Sequence, residues 1–317
     1  MSRIRCGVIG VGYLGRFHAQ KYATHPNVRL MGVYDVHHRQ AETVSHELKI
    51  KAYSELEEMI QEVDAVSIAA ITPAHFELAQ YCLEKGIHVL VEKPITQTLE
   101  EAMVLNQLAK EKGLVLQVGH LERFNPAYSE FLSFLNQPQW IEAQRLAPFK
   151  KRGCEVDVVL DLMIHDLDII LSLVPSEVID IDAKGISIMT SAIDLATIGL
   201  KFANGCVAQL TASRVHSSVE RVMRVYQEND YFALDFQQQK LTKFSLNAYS
   251  ETESYFETET ISTERQDPLN LQINNFVKSV LKQAKPVVDG VAGTKALELA
   301  LRIQQIIQST RDAKTCV

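Results

Sequence analysis

Residues 4–15 read IRCGVIGVGYLG. A short β-branched run, residues 4–10, passes straight into three glycines spaced as GxGxxG. The pattern then changes to a helical one over roughly 13–24, before a second apolar run, VRLMGVYD, at 28–35. Strand, tight glycine turn, helix and strand in that order predict a βαβ unit of ordinary length. The same alternation continues outward. DAVSIAAIT (64–72), HVLVEKP (88–94) and LVLQVGH (114–120) are strand-like, and helical patterns lie between the runs at about 38–48, 54–61, 74–85 and 98–112. Near-continuous apolar strands separated by helices predict a parallel sheet covered on both faces, the doubly wound α/β architecture.

The pattern differs after residue 120. Runs at 140–147, 178–187, 194–202, 206–214, 220–227, 231–236 and 240–246 alternate with period two. Short turn signals such as ANG (203–205) and END (228–230) join several of them as hairpins. This predicts an α+β domain with a large open, mainly antiparallel sheet, packed on one face and free on the other. Its covering helices are expected at 158–173 and 268–284, with a last helix near 292–310 that packs back toward the first domain. The acidic stretch ETESYFETETISTE (251–264) reads as an edge strand or loop. The domains are accordingly expected at 1–120 and 121–317.

The glycines have chemical reasons. Gly10 permits the tight turn, Gly12 lets a pyrophosphate approach the backbone, and Gly15 lets the helix pack against the strand. Tyr13 and Leu14 open the helix whose N-terminus faces the anion. Twenty residues beyond Gly15 stands Asp35, at the end of the second strand. Its carboxylate can accept both ribose hydroxyls and would repel a 2′-phosphate. A Rossmann domain binding NAD rather than NADP is expected, with Arg39 near enough to soften that preference. Thr72, Pro73 and His75 follow the third strand run, on the side where a parallel sheet lines its ligand crevice. His75 reads either as a cofactor contact or as a first-turn helix residue. Glu92-Lys93-Pro94 ends the next run on the same side. A lysine there, beside an oxidised nicotinamide and a sugar hydroxyl, could orient that hydroxyl or accept its proton.

Composition sets the outer bounds. A net charge of −7 disfavours polyanionic partners such as nucleic acid or an anionic membrane. No apolar run reaches the ~20 residues that span a bilayer, and the N-terminus lacks a signal-like apolar region. Five cysteines without a CxxC pair suggest reduced thiols and a cytoplasmic location.

GxGxxG at 10–15, EKP at 92–94 and the D-x-x-x-H pair Asp161 and His165 together resemble the Gfo/Idh/MocA oxidoreductase family. The resemblance covers nearly the whole chain. It implies NAD(P)-dependent oxidation or reduction of a sugar or cyclitol carbon and a homo-oligomer, dimer or tetramer, formed through the open sheet. Lys93, Asp161 and His165 stand at the family's catalytic positions. VGHLERFNPA (118–127), APFKKRG (147–153) and VVLDLMIHDLD (158–168) resemble more narrowly the subgroup that oxidises UDP-N-acetylglucosamine at the sugar C3, ahead of transamination in lipid A precursor synthesis.

On a regular helix of about 100° per residue, Asp161, His165 and Asp168 fall at roughly 0°, 40° and −20°. They form one polar stripe on an otherwise apolar helix, which implies a buried helix whose stripe faces a polar pocket. Asp166 lies off the stripe and reads as a solvated or capping carboxylate. Two carboxylates and one imidazole do not complete a metal set, and no metal is expected. Arg123 and Asn125 suit either substrate contacts or a structural role. Arg152, in the basic run 150–152, suits the diphosphate of a nucleotide sugar, and Arg214 is a further candidate. The competing reading is a non-catalytic nucleotide-binding protein. It would be expected to lose Lys93 or the Asp161–His165 pair, and all three are present.

Overall fold

The structure, a computed structural model, describes residues 3–150, 156–246 and 256–315. They group into two compact units: residues 1–121 with 267–297, and residues 122–266 with 298–317.

The first unit is built on six parallel strands: β1 (Ile4–Ile9), β2 (Val28–Tyr34), β3 (Lys51–Ala52), β4 (Ala65–Ile68), β5 (His88–Glu92) and β6 (Leu116–Gly119). Their order in space is β3-β2-β1-β4-β5-β6. β1 pairs with β2 on one side and β4 on the other, so the winding reverses beside β1, where open α/β sheets bind ligands outside the strands' carboxyl ends. The long helices are α1 (Tyr13–Thr24), α2 (His38–Leu48), α4 (His75–Glu84) and α5 (Leu99–Lys112), with a short α3 (Leu56–Ile60). The sequence pattern predicted all of these except the two-residue β3.

Helix α8 (Pro268–Val280) belongs to this unit as well. It was expected to cover the second sheet. Its apolar residues Leu269, Ile273, Phe276 and Val277 instead join the core of Ile4, Cys6, Val8 and Val33. Polar ties fix it there. Asp267 caps its N-terminus and pairs with Lys21 at 2.5 Å, and Gln117 Nε2 donates to the Gln272 carbonyl at 3.2 Å. The apolar stripe of α8 carries no mark of which sheet it serves.

The second unit carries eight strands: β7 (Trp140–Leu146), β8 (Val178–Ile186), β9 (Leu195–Phe202), β10 (Val207–Ser213), β11 (Glu220–Tyr226), β12 (Asp230–Asp235), β13 (Lys240–Leu246) and β14 (Phe256–Ile261). Their order is β14-β13-β12-β11-β7-β10-β9-β8, antiparallel throughout except where β7 meets β10. The acidic stretch supplies the edge strand β14. One face of the sheet is packed through Ile141, Ala143, Ala208, Leu210, Met223, Val225, Phe232 and Leu234. On the other face Trp140, Tyr226, Tyr231 and Phe244 align across four strands, with stacked ring centroids 5.1 Å apart for Tyr226–Tyr231 and 4.2 Å for Tyr231–Phe244. Helices α6 (Pro126–Phe131) and α7 (Ile164–Leu173) belong to this unit, and α9 (Gly290–Thr315) ends the described chain.

The segment expected as one α-helix over 158–173 is divided. Val159–Met163 forms a π-helical turn, and the α-helix proper begins at Ile164. Asp157 starts the turn by accepting from the Val159 and Leu160 N–H groups. The widened turn means that a uniform 100° wheel does not describe Asp161. Such turns are concentrated at functional sites.

Candidate functional site

In the first unit the three motif glycines separate into two kinds. Gly10 has φ +79, and a Cβ there would lie 2.7 Å from the Ala70 nitrogen. A Cβ on Gly15 would lie 1.8 Å from the Gly10 carbonyl oxygen. The fold itself requires both. A Cβ on Gly12 would meet nothing nearer than Gln40 Oε1 at 3.9 Å, so packing alone does not explain that glycine. Gly12 is also the N-cap of α1, without a side-chain cap, and the first turn carries no acidic residue. An open approach to an uncapped helix N-terminus fits a pyrophosphate. Asp35 is buried at the end of β2. Its Oδ2 accepts from the Val11 N–H and its Oδ1 from the His37 N–H, each at 2.8 Å. The carboxylate thereby holds the glycine loop, and each oxygen keeps a lone pair for a ribose hydroxyl.

Around this loop stand large exposed apolar side chains. Tyr13 is 68% exposed, Val36 81% and Ile71 75%. Single exposed apolar residues are ordinary, but three at neighbouring loop ends of one sheet mark a ligand surface. Val36 and Ile71 were not among the expected residues. Each lies just past an apolar strand run, and that position is the signal that could have found them. Arg39 is exposed on α2 and Leu14 half-buried on α1. The residues present therefore fit NAD: Gly10, Gly12 and Gly15 for the pyrophosphate, Asp35 for the ribose, and Tyr13, Val36 and Ile71 for flat rings.

Thr72 and Pro73 form a single 3₁₀ turn with Ala74 after β4, Thr72 half-buried and Pro73 exposed. His75 is occupied inside the unit. It is buried, with Nδ1 2.8 Å from the Pro94 carbonyl oxygen and Nε2 3.1 Å from that of Ala70. Burial lowers its pKa, so the ring is neutral near pH 7 and donates to one of the two. Glu92 is buried too and accepts from His18 Nε2 at 3.1 Å. Burial alone would raise its carboxyl. The His18 hydrogen bond and the nearby positive charge of Lys93 outweigh that and hold it below the usual carboxylate range. Lys93, between Glu92 and Pro94, is half-buried.

In the second unit the expected stripe separates as well. Asp161 and His165 keep part of their surface exposed, whereas Met163, Ile164, Leu167, Ile169 and Ile170 are buried. Asp168 is not their equal. It is buried and its Oδ1 lies 3.5 Å from Arg123 Nη1. Burial pushes its carboxyl up to about 7, a rise that this long contact offsets only in part. Arg123 in turn sits over the Tyr128 ring at 5.7 Å.

Asp166 corrects the expectation of a solvated or capping carboxylate. It is buried and takes a two-pronged bond from Arg145, 2.9 Å from Nε and 2.8 Å from Nη2. Arg145 also donates from Nη1 to Glu122 at 2.8 Å, and Arg221 approaches the same carboxylate at 3.8 Å. Burial opposes charge on the guanidinium, but the two carboxylates outweigh it and raise its pKa further. The short forked bonds are those of an ionised pair. Arg145 occupies an inward position of β7, level with Ile141 and Ala143, so the network pins α7 to the sheet.

Asn125 is the N-cap of α6. Its Oδ1 accepts from the Ala127 N–H at 3.1 Å, and its Nδ2 donates to the Phe236 carbonyl at 2.8 Å. Asn before Pro at a helix start is itself a capping signal. Arg214 is buried, bonded to the Val156 carbonyl, with Nε 3.9 Å from Asp194. Arg152 lies outside the described residues; Lys150, two positions before it, is exposed. Among the described residues no group of three or more His, Cys, Asp or Glu side chains could hold a metal ion.

Comparison with known proteins follows the same division. Residues 4–120 match the model "Oxidoreductase family, NAD-binding Rossmann fold", and residues 134–232 match "GFO/IDH/MocA C-terminal domain". The chain belongs to the Gfo/Idh/MocA oxidoreductase family. Like other members of the family it is an NAD-binding oxidoreductase. It is 38% identical to the UDP-N-acetylglucosamine 3-dehydrogenase of Acidithiobacillus ferrooxidans, over 98% of this chain and 99% of that one. A solved structure of that enzyme superposes with a TM-score of 0.91 over the same shares of the two chains. The scyllo-inositol 2-dehydrogenase (NAD(+)) of Bacillus subtilis is 27% identical over 94% of this chain and 92% of that one. No helix among the described residues of this Gfo/Idh/MocA member is long and apolar enough to cross a membrane.

Proposed function

We propose that the protein oxidises the 3-hydroxyl of UDP-N-acetylglucosamine to the 3-keto sugar. The observation that carries this reading is 38% identity to an enzyme of that name across essentially the full length of both chains. Substrate selectivity resides in side chains spread over the whole length, so likeness end to end weighs more than likeness in the nucleotide-binding half alone. NAD, when bound, supplies the hydride acceptor. The chain's own residues manage the proton: Lys93 Nζ accepts it from the hydroxyl, with His165 as base or relay and Asp161 beside it to orient the ring and the sugar. The half-exposure of Lys93, Asp161 and His165 supports these roles, since each keeps surface for a ligand. Arg152 and Arg123 are assigned to the substrate. The cellular setting is the cytoplasm, ahead of transamination in lipid A precursor synthesis. The enzyme is a homo-oligomer, for which the aromatic row on the open sheet face is a suitable apolar seam.

A second reading, oxidation of an inositol or another sugar, is favoured by the 27% identity to scyllo-inositol 2-dehydrogenase. Purified protein is incubated with NAD and a panel of UDP-hexoses, free sugars and inositols, and NADH is followed by absorbance. Turnover of UDP-N-acetylglucosamine with a clearly larger kcat/KM than the rest is expected. Turnover of inositols or free sugars without it would reject the proposal in favour of the second reading.

A further inference from the structure

Lys93 stands between two residues that are each tied to a buried histidine. On one side Glu92, the last residue of β5, accepts from His18 Nε2 of α1 at 3.1 Å. On the other, the Pro94 carbonyl oxygen lies 2.8 Å from Nδ1 of His75, the first residue of α4. His18 is 0% and His75 1% exposed, so neither tie can be exchanged for water at the surface. The backbone of β6 also packs close against the Glu92 carboxylate: a Cβ on Gly119 would fall 2.5 Å from Glu92 Oε1. A buried carboxylate that loses its donor must find another or expel its charge, and either outcome moves the chain that carries it. The second ring nitrogen of His75 lies 3.1 Å from the Ala70 carbonyl oxygen in the loop after β4, a contact without a proton when Nδ1 carries it, and α1 opens at Gly12. The two ties therefore join Lys93's immediate neighbours to α1, the helix that follows the glycine turn, and to the start of α4.

We propose that His18 and His75 are positioning residues that set the place of Lys93 Nζ, His18 through the Glu92 carboxylate and His75 through the Pro94 carbonyl. This rests on the reading above that Lys93 takes the hydroxyl proton. In each ring the proton is assigned to the nitrogen that faces its acceptor, Nε2 in His18 and Nδ1 in His75. Neither ring touches substrate in this scheme.

The test compares His18→Leu and His75→Leu, which remove the donor, with His18→Gln and His75→Asn, whose amide N–H can occupy the same place. His18→Asn, polar but too short to reach Glu92, guards against a Leu variant that fails to fold. Five quantities are read: Tm, NADH affinity by fluorescence, kcat and KM with UDP-N-acetylglucosamine, and the rate at which Lys93 is modified by an amine-reactive reagent, by peptide mass spectrometry. The Leu variants and His18→Asn are expected to lose about 10- to 100-fold in kcat. Their NADH affinity stays within about threefold, and their Lys93 labelling rate departs from wild type by more than that. Gln at 18 and Asn at 75 restore both. Unchanged kcat and labelling in the donor-free variants would overturn the proposal. So would a kcat loss matched by equal loss of NADH affinity, or failure of the conservative variants to restore it. If wild type does not turn over the UDP-sugar, the substrate reading fails and the labelling rates alone decide the positioning role.

Discussion

Gly12 and Gly15 differ by three positions and by what a methyl group would meet, which makes Gly12→Ala and Gly15→Ala a direct test of the cofactor site. At Gly12 the nearest atom to a new Cβ is 3.9 Å away, ordinary van der Waals contact, and φ is −62. The variant's stability should stay within about 0.5 kcal/mol of wild type, or rise slightly because the unfolded chain loses freedom. A bound pyrophosphate, however, must come within hydrogen-bonding distance of that backbone. A methyl group in the approach weakens hydrogen bonds to a charged group, each worth about 1.5–3 kcal/mol, so Kd for NADH rises by about 10- to 100-fold. At Gly15 the new Cβ would lie 1.8 Å from the Gly10 carbonyl oxygen, and α1 must move off β1 by more than an ångström. Overpacking of this kind costs about 1–3 kcal/mol or more, which lowers Tm by several degrees at about 2–4 °C per kcal/mol. Scanning calorimetry reads the first quantity and NADH titration the second. The reasoning is refuted if Gly12→Ala binds NADH as wild type does, or if it is destabilised as much as Gly15→Ala.

Three further outcomes are expected. Lys93→Ala and His165→Ala should keep NADH affinity and lose most of kcat; near-normal turnover in both would remove them from the chemistry. Arg145→Met leaves Glu122 and Asp166 as buried carboxylates without their main cation and should cost about 3–5 kcal/mol in denaturant unfolding, against well under 1 kcal/mol for a typical exposed pair such as Lys184–Asp182. Because burial raises the Asp168 carboxyl to about 7, the folded protein holds that proton more tightly than the unfolded chain does. The resulting stability is full below the ordinary carboxylate range and is lost as pH rises through about 7. The Tm of Asp168→Asn relative to wild type should therefore climb between about pH 4 and pH 7 and level off above that, and a flat difference over this range would contradict the assignment.

The nucleotide-binding half was largely legible because its signals are local. Each strand of that sheet except β3 is a continuous apolar run, the glycine spacing has a steric cause, and Asp35 follows at the distance of one βαβ unit. β3 escaped because a two-residue edge strand has no period to read. The assignment of α8 was illegible for a different reason. Amphipathic spacing says that a helix has a covered face, but only long-range packing says what covers it, and Leu269, Ile273 and Phe276 suit either sheet.

The charged helix shows where a wheel argument stops. It sorts residues by angle, yet whether a carboxylate serves the fold or a ligand depends on whether a buried cation awaits it. That information lay elsewhere in the chain. WIEAQRL (140–146) alternates strictly, and Arg145 shares the inward parity of Ile141 and Ala143. An arginine at an inward strand position requires a buried carboxylate, and the covering helix is the nearest source. The parity of this one strand thus already points to Asp166. Arg123 does the same for Asp168, though only its packing over Tyr128 shows that it turns inward. Once these two are accounted for, Asp161 and His165 are the charged or titratable side chains of VVLDLMIHDLD that keep exposed surface. The π-helical turn sets the angle of Asp161, and the Arg145–Asp166 fork fixes the residue that follows His165.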